Sequence, residues 1–245
     1  MAIISSKDNK RIKDAKKLYQ KKYRTTSYLI EGLHLYQEAV QAGARFKQIF
    51  VTEKFAHIPE ATLVSQEVMR FLSDTETPQG LIAEVAFPSC HEQAEELQKV
   101  LILENVQDPG NVGTMIRTAD AAGFDGVVVT GGSADIYAPK VLRTMQGAHF
   151  HLPIFQENEA QALYQRLKAQ DMTLIATTLS PASVDYRKLV RPEKFALIMG
   201  NEGAGIASET EKTADILAHI VMPGRAESLN VAVAAGIVMF SLTDD

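Results

Sequence analysis

From residue 100 onward the chain alternates short apolar runs with helix-length segments, and this alternation constrains the fold more than any single motif. Residues 100–103, 126–130, 150–155, 173–177 and 195–199 predict strands. Between them, residues 112–122 predict a helix closed by Gly123, a second helix opens at Pro139, and residues 157–170 predict a third. Strands that alternate with helices imply crossover connections, hence a mostly parallel, doubly wound α/β sheet. The stretch 220–240 closes the pattern. A strand-like run (220–222) meets a Pro223-Gly224 turn and the polar segment Glu227-Ser228-Leu229-Asn230, and an apolar helix over 231–242 follows. That helix is too short to span a bilayer. Its apolar residues lie all round, which predicts burial on every side. A Ser or Asn ahead of it can cap it, and a capped core helix accounts for the stretch taken alone.

Residues 1–95 predict a separate, smaller α/β domain, followed by a larger one over 96–245. The first contains a helix through the N-terminal segment capped by Ser5 or Ser6, and a strand over 28–32. A helix over 33–41, a half-buried strand over 46–51, a helix over 66–72 and a strand over 81–86 complete it. Residues 88–98 are polar and read as the link. The net charge of −5 hides an asymmetry, because residues 1–24 hold nine basic side chains against Asp8 and Asp14. A basic segment on an acidic body suits a polyanion, phosphates being the commonest such partner, although a solvated Lys-rich helix has the same composition.

Several chemistries are disfavoured. The single cysteine, Cys90, excludes an intramolecular disulfide and a cysteine metal cluster. Neither a secretory h-region nor a long apolar run occurs, which predicts a cytoplasmic chain with no membrane partner. The six histidines form no HExxH pattern, and no metal is expected. His149 and His151 are read as sharing one strand face, in a structural or RNA-facing role. There is no GxSxG elbow.

The loops at the ends of the predicted strands hold more chemistry than packing requires. Asn111 can cap the helix 112–122, whose buried stripe is Val112, Met115, Ile116 and Ala119. Arg117 lies off that stripe, where a solvated surface charge is the ordinary outcome. Residues 200–205 carry three glycines and one carboxylate, so backbone can approach a ligand closely. The loop is not GxGxxG and lacks the P-loop lysine. A nucleotide-dependent oxidoreductase is therefore the weaker reading of the same sheet.

Three segments together resemble one family: ENVQDPGNVGTMIRTADAAGF (104–124), ALIMGNEGAGI (196–206) and IVMPGRAESLNVAVAAG (220–236). They are similar, in order and spacing, to the motifs of the SpoU (TrmH-like) family within the SPOUT class of S-adenosylmethionine-dependent RNA methyltransferases. YLIEGLHLYQEAVQAG (28–43) and TPQGLIAE (77–84) also resemble that family's substrate-binding domain, a small RNA-binding fold like that of a ribosomal protein. Two positions depart from the common pattern, Met145 and Ala232, where relatives often carry a small residue and Ser.

The resemblance implies a trefoil knot in the last third of the chain, with S-adenosylmethionine bound in it. Carried over by position, donor contacts fall on Gly200, Ile220 and Leu229, with Thr177 and Leu179 lining the pocket. The polar site residues fall on Asn111, Arg117, Glu202, Ser228 and Asn230. Arg117 would hold phosphate and hydroxyl and stabilise developing charge, because a guanidinium stays protonated and is a poor base. Glu202 would orient Arg117 or the ribose. The implied reaction is methyl transfer to a ribose 2′-hydroxyl of RNA, with rRNA favoured over tRNA. The family also implies a homodimer through the C-terminal domain, with Arg117 acting in a site the partner completes. A catalytically silent RNA-binding or ribosome-assembly factor on the same fold is the alternative, and intact Arg117, Glu202 and Asn230 weigh against it.

Overall fold

The computed structural model describes residues 3–88 and 97–243. Cys90, His91 and the expected domain boundary between residues 95 and 96 lie outside the described residues. The chain divides into two compact units. One comprises Met1–His91 with Tyr137–Phe150, the other Glu92–Ile136 with His151–Asp245.

In the first unit, helix α1 (Lys10–Lys17) precedes strand β1 (Ser27–Glu31), helix α2 (Leu33–Gln41), and strands β2 (Phe46–Val51) and β3 (Thr62–Leu63). Helix α3 (Gln66–Leu72) and strand β4 (Leu81–Ala86) follow. The sheet runs β1-β4-β2-β3, antiparallel except for the β2–β3 pair. Ile12 and Ala15 of α1 and Val68, Met69 and Leu72 of α3 pack with Leu29, Phe50 and Ile82 of the sheet. The basic segment is thus no detachable arm: its apolar residues help close this core while Lys10, Lys13, Lys17, Lys21 and Lys22 face solvent. Asn9 rather than Ser5 or Ser6 caps α1, its side chain accepting from the Arg11 amide at 2.9 Å. Ser6 instead accepts from the Asp8 amide in the preceding turn.

The second unit holds strand β5 (Lys99–Leu103), helix α4 (Pro109–Ala121) and strand β6 (Gly126–Thr130). The chain then contributes helix α5 (Pro139–Met145) to the first unit, where it packs on β1. Back in the second come β7 (Ile154–Glu157), α6 (Ala160–Lys168), β8 (Thr173–Thr177), β9 (Val184–Asp185) and β10 (Phe195–Met199). Helix α7 (Ser208–Thr213), β11 (Ile216–His219) and α8 (Val231–Thr243) complete the chain. All seven strands are parallel, in the order β7-β6-β5-β10-β8-β11-β9. Strands β5, β6 and β10 are buried along nearly their whole length, so they read as continuous apolar runs. Val100, Ile102, Leu174, Ala196 and Ile198 meet Leu163, Tyr164 and Leu167 of α6, while α8 packs against α4 and β10. Among the described residues no helix is long and apolar enough to cross a membrane.

The structure departs from the sequence reading at several points. Helix α4 opens at Pro109, not residue 112, because Asp108 is its cap and accepts from the Asn111 amide at 2.8 Å. Proline suits the first helical position, having no amide to leave unpaired. Strand β7 starts at Ile154 because residues 148–150 form a single 3-10 turn and Pro153 can donate no ladder bond. His149 and His151 therefore share no strand face. His149 lies 3.1 Å from the Tyr28 hydroxyl in the first unit, and His151 lies 2.9 Å from the Asp120 carboxylate in the second. The last strand is Ile216–His219, which pairs with β8, while 220–222 runs on beyond the ladder. Helix α8 is not enclosed within the chain: Ala232, Ala235, Val238, Met239 and Leu242 are buried, but Val233 is 52% and Phe240 43% exposed.

Candidate active site

In a doubly wound sheet, small ligands bind beyond the carboxyl ends of the strands, where the strand order reverses. β5 is that switch point here, with β6 on one side and β10 on the other. A cavity of about 490 Å³ opens beside it, past the ends of β8, β10 and β11. That volume suits a small organic ligand. Thr177, Leu179, Gly200, Ile220 and Leu229 all line it, and so do Glu202 and Ser228. Leu179 is 69% and Leu229 38% exposed, which puts them at the mouth. The Thr177 hydroxyl turns inward to donate to the Ile198 carbonyl at 3.3 Å.

Gly200 shapes the cavity by what it lacks. A Cβ there would sit 2.4 Å from the Gly205 carbonyl carbon and 2.5 Å from the Ile206 nitrogen. The loop folds back on itself through Asn201 and Gly205, which exchange backbone hydrogen bonds of 2.9 and 3.0 Å. The side-chain oxygen of Asn201 accepts from the amides of Gly203 and Ala204, both at 2.9 Å. Its side-chain nitrogen donates to the Asn105 carbonyl at 3.0 Å. Gly205 itself holds φ +70°, where glycine is favoured.

Three of the expected polar residues form one connected chain at the cavity edge. Asn230 donates through Nδ2 to Asn111 Oδ1 at 3.0 Å, and Asn111 donates through Nδ2 to Glu202 Oε1 at 3.0 Å. Glu202 also accepts from the amides of Asp108 at 3.1 Å and Gln107 at 3.3 Å. Burial pushes its carboxyl pKa up, but the hydrogen bonds from Asn111 and the backbone outweigh this and hold it below its ordinary value. Asn230 Oδ1 meanwhile caps α8, accepting from the amides of Ala232 at 2.9 Å and Val233 at 3.3 Å. Asn111 is thus a link in a side-chain chain rather than a helix cap. Glu202 is engaged with Asn111 and the backbone, not with Arg117.

Arg117 is exposed on α4, does not line the cavity, and its guanidinium has no hydrogen-bond or ion-pair partner among the described residues. Ser228 is exposed at the rim. Among the further lining residues, two carry titratable side chains that were not assigned to the site from sequence, His219 and Glu227. His219 Nδ1 lies 2.9 Å from the Ser183 hydroxyl. Glu104, buried at the end of β5, accepts from the Tyr164 and Thr210 hydroxyls and, at 2.7 Å, from the Ala207 amide. It pins the far end of the 200–207 loop to the sheet. An acidic residue directly after an apolar strand is the one sequence signal that marks it. Among the described residues no cluster of His, Cys, Asp or Glu is placed to hold a metal ion.

This architecture has close counterparts among known proteins. A model described as the SpoU rRNA Methylase family matches residues 98–240, and one described as the MRM3-like substrate binding domain matches residues 9–83. The 23S rRNA (guanosine(2553)-2'-O)-methyltransferase RlmP of Bacillus subtilis is 41% identical, over 99% of both chains. An AdoMet-bound rRNA methyltransferase from Sinorhizobium meliloti superposes with a TM-score of 0.87 at 32% identity, covering 98% of this chain and 97% of the other. A structure described as an RNA 2'-O ribose methyltransferase gives 0.85 at 31% identity, over 98% of each chain.

Proposed function

This chain belongs to the SpoU rRNA methylase family, and from that premise we propose that it transfers a methyl group from S-adenosylmethionine to a ribose 2′-hydroxyl of rRNA. The observation that carries the reading is the convergence of Thr177, Leu179, Gly200, Ile220 and Leu229 on one cavity beside the Asn230–Asn111–Glu202 chain. The cavity fits the donor: its volume is adequate, the wall at Gly200 is backbone, and Leu179, Met199, Ile220 and Leu229 offer apolar surface. Bound there, S-adenosylmethionine supplies an electrophilic methyl group.

The protein's share of the chemistry is positioning and charge. Gly200, Ile220 and Leu229 would hold the donor against the cavity wall. Glu202 fixes the Asn111 amide, Asn111 fixes Asn230, and Asn230 sets the start of α8, so two loops and the first turn of α4 keep one geometry. Ser228 hydrogen-bonds donor or ribose at the rim. Arg117, always protonated, grips the phosphate beside the target ribose and stabilises negative charge growing on its oxygen. Because Arg117 stands clear of this chain's own cavity, it serves the cavity of a second copy.

A homodimer through the C-terminal unit accounts for the uncovered face of α8, where Val233, Ile237 and Phe240 recur at helical spacing. Sedimentation at a monomer's mass would remove this part of the proposal. The loops that follow β8, β10 and β11 are read as the crossing of a trefoil knot. Residues 1–95, joined by Tyr137–Phe150 in the same unit, are assigned to RNA capture on a ribosomal-protein-like fold, supported by the substrate-binding match over 9–83, and the rest of 96–245 to methyl transfer. The bacterial origin of the most similar rRNA methyltransferase reported above favours a cytoplasmic enzyme.

Single-turnover transfer from labelled donor to unmodified rRNA and tRNA transcripts tests the reading, with 2′-O-methyl mapping in cells that lack the gene. Label on rRNA and one missing rRNA methyl group are expected. Label on tRNA alone moves the substrate, and donor binding without transfer to either RNA favours the silent factor.

A further inference from the structure

The first unit has a cavity of its own, about 500 Å³, lined by residues of that unit alone. It lies where β1 and β4 meet the segment 137–150 and the turn 42–45, and five of its lining residues carry aromatic rings. Tyr28, only 1% exposed, forms the floor. The Phe87 ring stacks on it at 5.4 Å and 25°, and Tyr137 leans against both rings at 4.6 Å. His149 closes another side, its ring 5.7 Å from Tyr28 and 4.0 Å from Phe150. The 3.1 Å contact between His149 Nε2 and the Tyr28 hydroxyl locks the two rings together. Phe87, Tyr137, His149 and Phe150 are all only half-buried, so aromatic surface is open to the cavity. At its edge stands Arg45, exposed, its guanidinium without a hydrogen-bond or ion-pair partner among the described residues.

Core packing explains the buried Tyr28, but not four half-exposed aromatic rings around an open volume with a cation at the rim. An apolar metabolite would gain nothing from the arginine, and a free anion nothing from the rings. A flat heteroaromatic ring joined to a phosphate uses both, because protein aromatics and guanidinium planes stack unpaired bases while arginine pairs with the backbone. The unit also has the charge for it: residues 1–88 carry thirteen basic against ten acidic side chains in a chain whose net charge is −5.

We propose that the Tyr28–Phe87–Tyr137–His149 pocket takes one unpaired nucleobase of the RNA substrate, with Arg45 on the adjoining phosphate. The proposal rests on the RNA-modifying reading above and adds to it a structural requirement on the substrate: a base free of its helix, at a site apart from the methyl-donor cavity.

The test uses the full-length chain and two variants, Arg45→Gln, at an exposed position that folding does not need, and Tyr137→Leu, which keeps apolar bulk but loses the stacking face. Fluorescence anisotropy gives their affinities for a labelled oligoadenylate, a labelled oligouridylate and an RNA duplex of the same length. Melting temperature and calorimetric donor affinity are followed alongside. The wild type should prefer the single strands. Each variant should bind them roughly fivefold or more weakly, with duplex binding, melting temperature and donor affinity nearly unchanged. Folded variants that bind single strands like the wild type would overturn the pocket's role, as would a wild type that binds strand and duplex equally. A pocket built for a protein segment gives the first of those results. Failure of methyl transfer to any RNA, with strand discrimination intact, would sink the catalytic reading instead and leave the pocket standing.

Discussion

Replacing Gly200 by Ala adds one methyl group at the most crowded backbone position of the site. The new Cβ would lie 2.4 Å from the Gly205 carbonyl carbon, 2.5 Å from its oxygen and 2.5 Å from the Ile206 nitrogen. All three are backbone atoms, so no rotamer change relieves the clash. The Gly205–Ile206 peptide would have to retreat by more than about half an ångström, yet it is held by the paired Asn201–Gly205 hydrogen bonds. Overpacking costs about 1–3 kcal/mol, and each hydrogen bond surrendered adds about 1 kcal/mol. The cost falls on a loop that walls the cavity proposed for the donor, so donor affinity should drop about 10- to 100-fold, with a loss of a few degrees in Tm. The inner sheet, pinned through Glu104, should keep its fold. Isothermal titration with S-adenosylmethionine and its demethylated product, set beside circular dichroism melting, measures both quantities. An alanine variant that binds donor with wild-type affinity would refute the reasoning, because the loop would then have moved without cost to the cavity.

Three other outcomes are expected. Arg117→Lys keeps the charge but loses the planar fork, so single-turnover methyl transfer should fall about 100-fold while calorimetric donor affinity stays within about twofold; equal rates would leave Arg117 a solvated charge. Glu202, with its pKa held below the ordinary value, contributes stability that is present above the usual carboxylate range and lost as pH falls through the lowered pKa. The Tm of wild type should therefore decline faster than that of Glu202→Gln in that acidic range, and parallel curves would contradict the assignment. Changing Lys10, Lys21 and Lys22 to Gln, rather than deleting a segment that includes core residues, should weaken rRNA binding. It should also flatten its salt dependence, by roughly 0.7–0.9 in log–log slope for each phosphate these lysines neutralise, and an unchanged slope would leave them as solvated charges.

Much of this fold is legible locally, and the exceptions share a cause. Strands over 100–103, 126–130, 173–177 and 195–199 stand out because both of their faces are buried, so the sequence shows unbroken apolar runs. Helices over 33–41 and 66–72 have the stated ends, the second with Ser65 as its cap. What fails depends on partners far away in the chain. The runs 216–219 and 220–222 are similarly apolar, and only pairing with β8 selects the first. Helix α7 has a wholly polar sequence and is held by Thr210 to Glu104, 106 residues earlier. Glu202 reads as a free carboxylate until the fold brings Asn111 to it across 91 positions. The motif residues could be picked out individually, whereas the hydrogen-bond order among them could not.

The segment Tyr137–Phe150 counts with the first unit although the chain on either side of it belongs to the second. Its helix α5 buries Val141, Leu142 and Met145. Inheritance and engineering therefore meet a constraint that a two-part gene diagram hides. A chimera spliced once, near residue 91, would take its α5 from one parent and the surface that receives it from the other. Exchange between relatives has to be made at three junctions, carrying 137–150 along with 1–91, so this stretch should travel through recombination with the N-terminal unit rather than with its own flanks.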